Sequence, residues 1–298
     1  MIPQIPAKHI VTRTNDSSWF GFDYNMNIYH GCCHGCIYCD SRSDCYQIKN
    51  FDEVKVKKDA LQIIRDDLRR KVKTGVVGTG AMSDPYNPLE KHLLLTRHAL
   101  ELVDAFGFGA AIATKSDLIL RDQDIYSSIL EHSPVLVKIT VTTPDEGLAG
   151  LLEPAAPSPS RRLEAVARLS EAGIFAGILL MPVLPWIEDS EENVCAVIER
   201  AREAGAKFIY PSFGMTLRAN QREWYFDRLK EIYPEKRLPE KYMKKYGNQY
   251  VCISPNAKRL WQVFSERCEK YGILYQMKDI IHAYQKPYQI TQISLFDL

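Results

Sequence analysis

The sequence predicts an α/β fold. Six short apolar runs are each followed by an amphipathic stretch of helical spacing, and past residue 218 that alternation gives way to a helical extension. The chain has 298 residues, 46% of them apolar and 25% charged, which suits one large α/β domain or two small ones with ample core. The net charge of +1 excludes a chain-wide bias toward nucleic acid and leaves only local basic surface. Eight cysteines without a secretory leader point to a reducing, cytoplasmic setting rather than a disulfide scaffold. The apolar runs, such as 174–183, are too short to cross a bilayer, so no membrane role is expected.

In chain order, residues 1–21 mix prolines, Asn15, Asp16 and serines and read as an irregular lead-in. The partly alternating, aromatic run 22–29 is the first strand. Residues 59–72 carry Leu61, Ile64 and Leu68 on one stripe and form a helix. The strands 75–79, 109–114, 135–141, 174–183 and 207–211 then alternate with helices 93–106, 122–131, 160–172 and 191–204, the fourth helix closed by Gly173. Strands separated by helices imply a parallel sheet with right-handed crossovers. This unit spans 22–218, and the extension 219–298 holds helices at 221–233 and 256–271. Between them, 237–250 is basic and irregular, and the chain ends in a polar tail from 286.

Directly after the first strand comes Gly31-Cys-Cys-His-Gly-Cys-Ile-Tyr-Cys-Asp40, with Cys32, Cys36 and Cys39 in Cys-x3-Cys-x2-Cys spacing. Three thiolates so close in one loop converge on one metal centre, one short of the four that an ordinary iron–sulfur cluster takes. Zinc sites more often pair Cys-x2-Cys units or add histidines. The spacing, with Tyr38 before the last cysteine, resembles the radical S-adenosylmethionine (SAM) superfamily. The resemblance implies a partial (βα)6 barrel of the TIM type. It implies a [4Fe-4S] cluster held by Cys32, Cys36 and Cys39, and SAM on the open iron, cleaved reductively to a 5′-deoxyadenosyl radical. Cys33 is left out of the ligand set because adjacent side chains rarely point the same way.

Within that superfamily, His34-Gly35 and Met82-Ser-Asp-Pro-Tyr86 resemble the spore photoproduct lyase branch. That likeness assigns SAM contacts to Ser83, with Asp84 as its partner, to Lys115 through the SAM carboxylate, and to Thr140, and it sets Tyr38 near the adenine. The alternatives are a capped turn for Ser83-Asp84, a solvated strand end for Lys115, and strand propensity for Thr140. The hydrogen-donating cysteine of those lyases is matched here by Ala81, so spore photoproduct repair itself is in doubt. A buried Glu153–Arg162 pair would shape the ribose side, while Ser160 reads as a helix N-cap. The run 181–185 serves either as an adenine floor or as core. Cys45, Cys195, Cys252 and Cys268 have no close ligand spacing.

The tail Gln292-Ile-Ser-Leu-Phe296 is similar to the peptide with which bacterial repair proteins bind the β sliding clamp, through Gln292, Leu295 and Phe296. The leading expectation is therefore a radical SAM enzyme acting on DNA, fed electrons by a reductant such as flavodoxin or ferredoxin. The alternatives are a radical SAM enzyme acting on RNA, protein or a metabolite, and a non-catalytic iron–sulfur sensor or clamp-bound adaptor. The basic, aromatic stretch 221–250 offers either a nucleic-acid cradle or a solvated face.

Overall fold

A computed structural model describes residues 2–80 and 82–289. Its first elements are β1 (Gln4–Ile5), β2 (Val11–Arg13), β3 (Tyr24–Met26), β4 (Tyr29–His30) and β5 (Lys55–Lys57). The repeating units follow: α1 (Ala60–Arg69), β6 (Val76–Thr79), α2 (Glu90–Leu93), α3 (Leu95–Ala105), β7 (Gly109–Thr114), α4 (Gln123–Leu130) and β8 (Val135–Thr140). Next come α5 (Glu146–Leu152), α6 (Pro159–Glu171), β9 (Phe175–Leu180), α7 (Glu191–Glu203), β10 (Ile209–Pro211) and β11 (Gly214–Thr216). The extension holds α8 (Gln221–Ile232), α9 (Leu238–Tyr246), β12 (Val251–Ile253), α10 (Ala257–Tyr271) and α11 (Met277–Gln285).

The main sheet runs β10-β9-β8-β7-β6-β3-β2, with six parallel strands and β2 antiparallel at its edge. Among the described residues no ladder joins its two ends, so it is a partial barrel. The predicted first strand is in fact two. Tyr24–Met26 joins the main sheet, while Tyr29–His30 pairs with β5 in a separate small sheet. The predicted irregular stretch 237–250 contains a helix, α9, begun by Pro239 in its first turn, where a missing N–H costs nothing. Pro159 likewise starts α6 one residue early, so Ser158 is the N-cap and Ser160 lies inside the helix.

Period-two alternation sorts each strand. Val135, Val137 and Ile139 face outward to the main core under the helices, while Leu136, Lys138 and Thr140 alternate with them on the concave face. The lower half of that face is closed by rings. Phe20 and Phe22 fold in from the segment between β2 and β3, and Phe208 and α11's Tyr284 join them. Gly78 and Gly177 make the room: a Cβ on Gly78 would lie 2.7 Å from the Phe22 ring, and one on Gly177 2.4 Å from Phe208. Tyr284 donates to the Phe20 carbonyl at 2.6 Å and Gln285 to Gly21 at 2.8 Å, so the extension's last helix pins this plug.

Helices α8 and α9 pack on the metal-loop side, while α10 packs on α7 and joins the main core through Leu260, Phe264 and Cys268. Tyr225, Leu229, Tyr242 and Tyr246 form a second core with Ile37 and Tyr38. The aromatic residues of 221–250 are thus spent largely on packing: Tyr225 and Tyr242 are fully buried, with their hydroxyls 3.0 Å apart. No helix of the described residues is long and apolar enough to span a membrane.

Candidate active site

The upper half of the concave face, at the C-terminal strand ends, opens into a cavity of about 360 Å³. Cys32, Cys36 and Cys39 all line it, with Tyr38, Ser83, Asp84, Lys115 and Thr140. Sequence reasoning therefore named residues that the fold does bring together. Cys33 is not on this wall; it packs against the main core, turned from the other three.

The loop holds its shape through the backbone. Cys32 N–H donates to the Phe51 carbonyl at 2.9 Å, Cys39 N–H to Cys36 at 3.3 Å, and Ile37 N–H to Leu152 at 3.0 Å. Gly31 and Gly35 take φ of +86° and +73°, and a Cβ on Gly31 would lie 2.5 Å from the Phe51 carbonyl oxygen. Burial pushes the Cys32 thiol up to about 12 and the Cys36 thiol well above its usual range. Burial raises Cys39 too, against the Lys115 ammonium, which favours the thiolates of Cys36 and Cys39. Such thiols stay protonated unless a bound cationic centre takes the proton's place. Among the described residues, no three His, Cys, Asp or Glu side chains are placed to hold a single metal ion. Three loop thiols on one wall, beside a cation, fit a polynuclear cluster that takes one thiolate per iron.

Asp84 is the organiser of the polar wall. Its carboxylate accepts from the Thr114 hydroxyl at 2.6 Å, the Lys115 N–H at 2.7 Å and the Tyr86 N–H at 2.8 Å, and lies 3.2 Å from His34 Nε2. Burial alone would raise its pKa, but His34, Thr114 and the Lys115 amide outweigh that and hold it at about 2. It thereby ties the metal loop to the ends of β6 and β7. Ser83 donates to the Gly31 carbonyl at 2.5 Å.

Lys115 Nζ stands 3.9 Å from Glu153 Oε1 and 5.5 Å from the centre of the Tyr38 ring. Glu153 also accepts from the Tyr38 hydroxyl and pairs with Arg162 at 2.5 Å, both partners of the pair being buried. Arg162 in turn donates to the carbonyls of Thr140 at 3.0 Å and Pro157 at 2.6 Å. Burial opposes ionisation of Glu153, yet Arg162 and Lys115 lower its pKa below the usual value.

A second wall was not anticipated. Phe213 and Met215, beside and on β11, and Val251 and Ile253 on β12, line the cavity. Val251 and Ile253 are 50% and 58% exposed, an apolar rim at its mouth. The signal in the sequence was only the short alternation Val-Cys-Ile. Met181 and Pro182 line the floor, whereas Val183 and Leu184 go to the two neighbouring cores. Glu188, also missed, is fully buried, with Oε1 unpartnered among the described residues; burial raises it to about 8. Ala81, Gln292, Leu295 and Phe296 lie outside the described residues.

The profile of the Radical SAM superfamily matches residues 26–198. An uncharacterised protein of Mycobacterium tuberculosis is 28% identical over 250 residues, covering 82% of this chain and 73% of its own length. One from Methanocaldococcus jannaschii is 33% identical over 173 residues, covering 57% and 64%. Among solved structures, spore photoproduct lyase complexed with dinucleoside spore photoproduct matches with a TM-score of 0.62 at 15% identity, covering 90% of this chain and 79% of that one. The radical S-adenosylmethionine methyltransferase TsrM of Kitasatospora setae matches at 0.52 and 13%, covering 80% and 51%. At these identities the structural likeness is one of fold.

Proposed function

The chain belongs to the radical SAM superfamily, an enzyme whose cofactors are a [4Fe-4S] cluster and SAM, and from that premise we propose that it acts on a base of DNA. The observation that carries the substrate reading is the chemistry of the second wall. Phe213, Met215, Val251 and Ile253 are uncharged, and Lys115, the sole Lys or Arg lining the cavity among the described residues, is taken by the SAM carboxylate in this reading. A group entering past that rim must be neutral and flat or apolar, because an anion there would lose its hydration without a counter-charge. A nucleobase meets this condition, with its phosphates left outside. The fold shared with a lyase that binds a dinucleoside spore photoproduct supports the same choice.

When bound, the cluster and SAM supply a 5′-deoxyadenosyl radical by one-electron cleavage. In this proposal Cys32, Cys36 and Cys39 hold the cluster, and Lys115 and Ser83 orient SAM. Asp84 fixes the Lys115 backbone and the metal loop, Thr140 and Tyr38 border the nucleoside, and the β11–β12 ribbon excludes water. A second reading, with RNA, protein or a metabolite as substrate, draws on the burial of Tyr225 and Tyr242, which removes stacking surface from the extension. Docking of Gln292, Leu295 and Phe296 on a sliding clamp would deliver the enzyme to DNA, and loss of clamp binding in Phe296→Ala is its test.

The substrate test is 5′-deoxyadenosine formation by anaerobically reconstituted protein with dithionite and SAM, run without DNA, with intact DNA and with UV-irradiated DNA. A rise with either DNA supports the proposal, and the irradiated arm reads lesion specificity. Product indifferent to both contradicts it and sends the search to RNA, protein and metabolites.

A further inference from the structure

The metal loop has a second face. Its residues between Cys32 and Cys36 are backed by the segment joining α5 to α6, where Ala155 N–H donates to the His34 carbonyl at 3.0 Å. A Cβ on Gly35 would lie 3.0 Å from Pro154. Pro154 and Ala155 are themselves exposed, so a single layer separates the loop from solvent on this side. Outside that layer is a concavity of about 630 Å³, whose lining includes His34, the residue that also borders the SAM-side cavity.

The charge of the concavity is one-sided. Lys91, Arg121, Arg161 and Arg168 line it against a single acid, Asp117. Arg121 is paired with Glu90 and Asp122, and Arg161 with Asp117. Lys91 and Arg168 are exposed and make no ion pair among the described residues, so their charge faces solvent.

We propose that this basic concavity behind the metal loop is the docking surface for a small acidic one-electron carrier protein of the flavodoxin or ferredoxin kind. The inference rests on the radical SAM reading and adds the direction from which the electron arrives. SAM and substrate fill the front of the loop, and tunnelling falls steeply with distance, so a protein donor needs another thin wall. The concavity supplies it, with a charge opposite to the donor's. In the step, one electron leaves the carrier's reduced centre and one enters the cluster; no bond is made or broken. A nucleic acid would also favour the positive charge, but from here its bases cannot reach the cavity that holds the radical chemistry.

The test measures binding of oxidised flavodoxin to cluster-loaded protein by calorimetry at low and moderate salt. The Lys91→Glu/Arg168→Glu variant should bind about tenfold or more weakly at low salt, with a flatter salt dependence. Cluster reduction by reduced flavodoxin should slow in parallel, while reduction by dithionite is unchanged. Lys241→Glu/Lys244→Glu, on α9, changes net charge equally and should bind as the native protein does. Undiminished binding in the first variant, an equal loss in the second, or displacement of flavodoxin by DNA would overturn the proposal. Failure of the enzymatic reading has a different signature: no 5′-deoxyadenosine even with dithionite.

Discussion

The two halves of one concave sheet face differ in how they treat charge. In the upper half, Asp84, Lys115, Glu153 and Arg162 each meet a partner within 3.9 Å, around a cavity left open. In the lower half, one layer down β8 from Thr140, Lys138 is buried between the Phe20 and Phe22 rings at 4.8 and 5.4 Å, with no carboxylate partner among the described residues. The same strand thus serves two purposes. Above, polar groups are satisfied in advance so that a cofactor meets fixed geometry. Below, space is filled with rings, and the lysine's cost is carried as a depressed pKa of about 7, caused by burial.

The largest expected break is at the thiols. Replacing Cys32, Cys36 or Cys39 by Ala should abolish cluster uptake and SAM cleavage, whereas Cys33→Ala, on the core side, should retain both. Iron content and 5′-deoxyadenosine report the difference. Next, Glu153→Gln leaves Arg162 buried without its counter-charge and should cost about 3–5 kcal/mol, lowering Tm by about 10 °C. Lys115→Met should keep the fold and weaken SAM binding about tenfold by equilibrium dialysis, as expected for one charge-assisted contact.

The lower half should respond in the opposite sense. Lys138 has a folded pKa below its unfolded one, so its contribution to stability is present above pH 10.5 and lost as pH falls toward about 7. Lys138→Met should therefore stabilise the protein by about 1–2 kcal/mol near neutrality and flatten the rise of Tm between pH 7 and 10. Glu188 is the mirror case. Its raised pKa, about 8 against 4.5, gives stability at low pH that is lost as pH rises through that window. Glu188→Gln should remove this decline, and at pH 5, where the native carboxyl is already neutral, its effect should be the smallest of the set.

Much of the upper half was legible because its chemistry is local in sequence. Ser83-Asp84 and Lys115 follow strands that periodicity locates, and the resemblance carried by the Cys-x3-Cys-x2-Cys loop is what named them as site residues. Glu153 and Arg162 were readable as a pair, but not the Tyr38 hydroxyl that joins them. The lower half was not legible, since Phe20 looked like irregular lead-in and Phe22 like the start of a strand until Gly78 and α11 gave them a place. The second wall failed for the same reason. Val251 and Ile253 reach the cavity only through the pairing of β12 with β11, residues far apart in the chain. The split of the predicted first strand into β3 and β4 likewise depends on β5, about 26 residues later.

The central claim is that three thiols on one wall of the open cavity at the strand ends make this a radical SAM enzyme. The most direct measurement pairs iron analysis with 5′-deoxyadenosine formation, on anaerobically reconstituted protein given SAM and dithionite. The account predicts about four irons per chain and deoxyadenosine from the native protein, and neither from the Cys32→Ala/Cys36→Ala/Cys39→Ala variant. A native protein with its full cluster and no deoxyadenosine, or a triple variant that still makes it, would contradict the account.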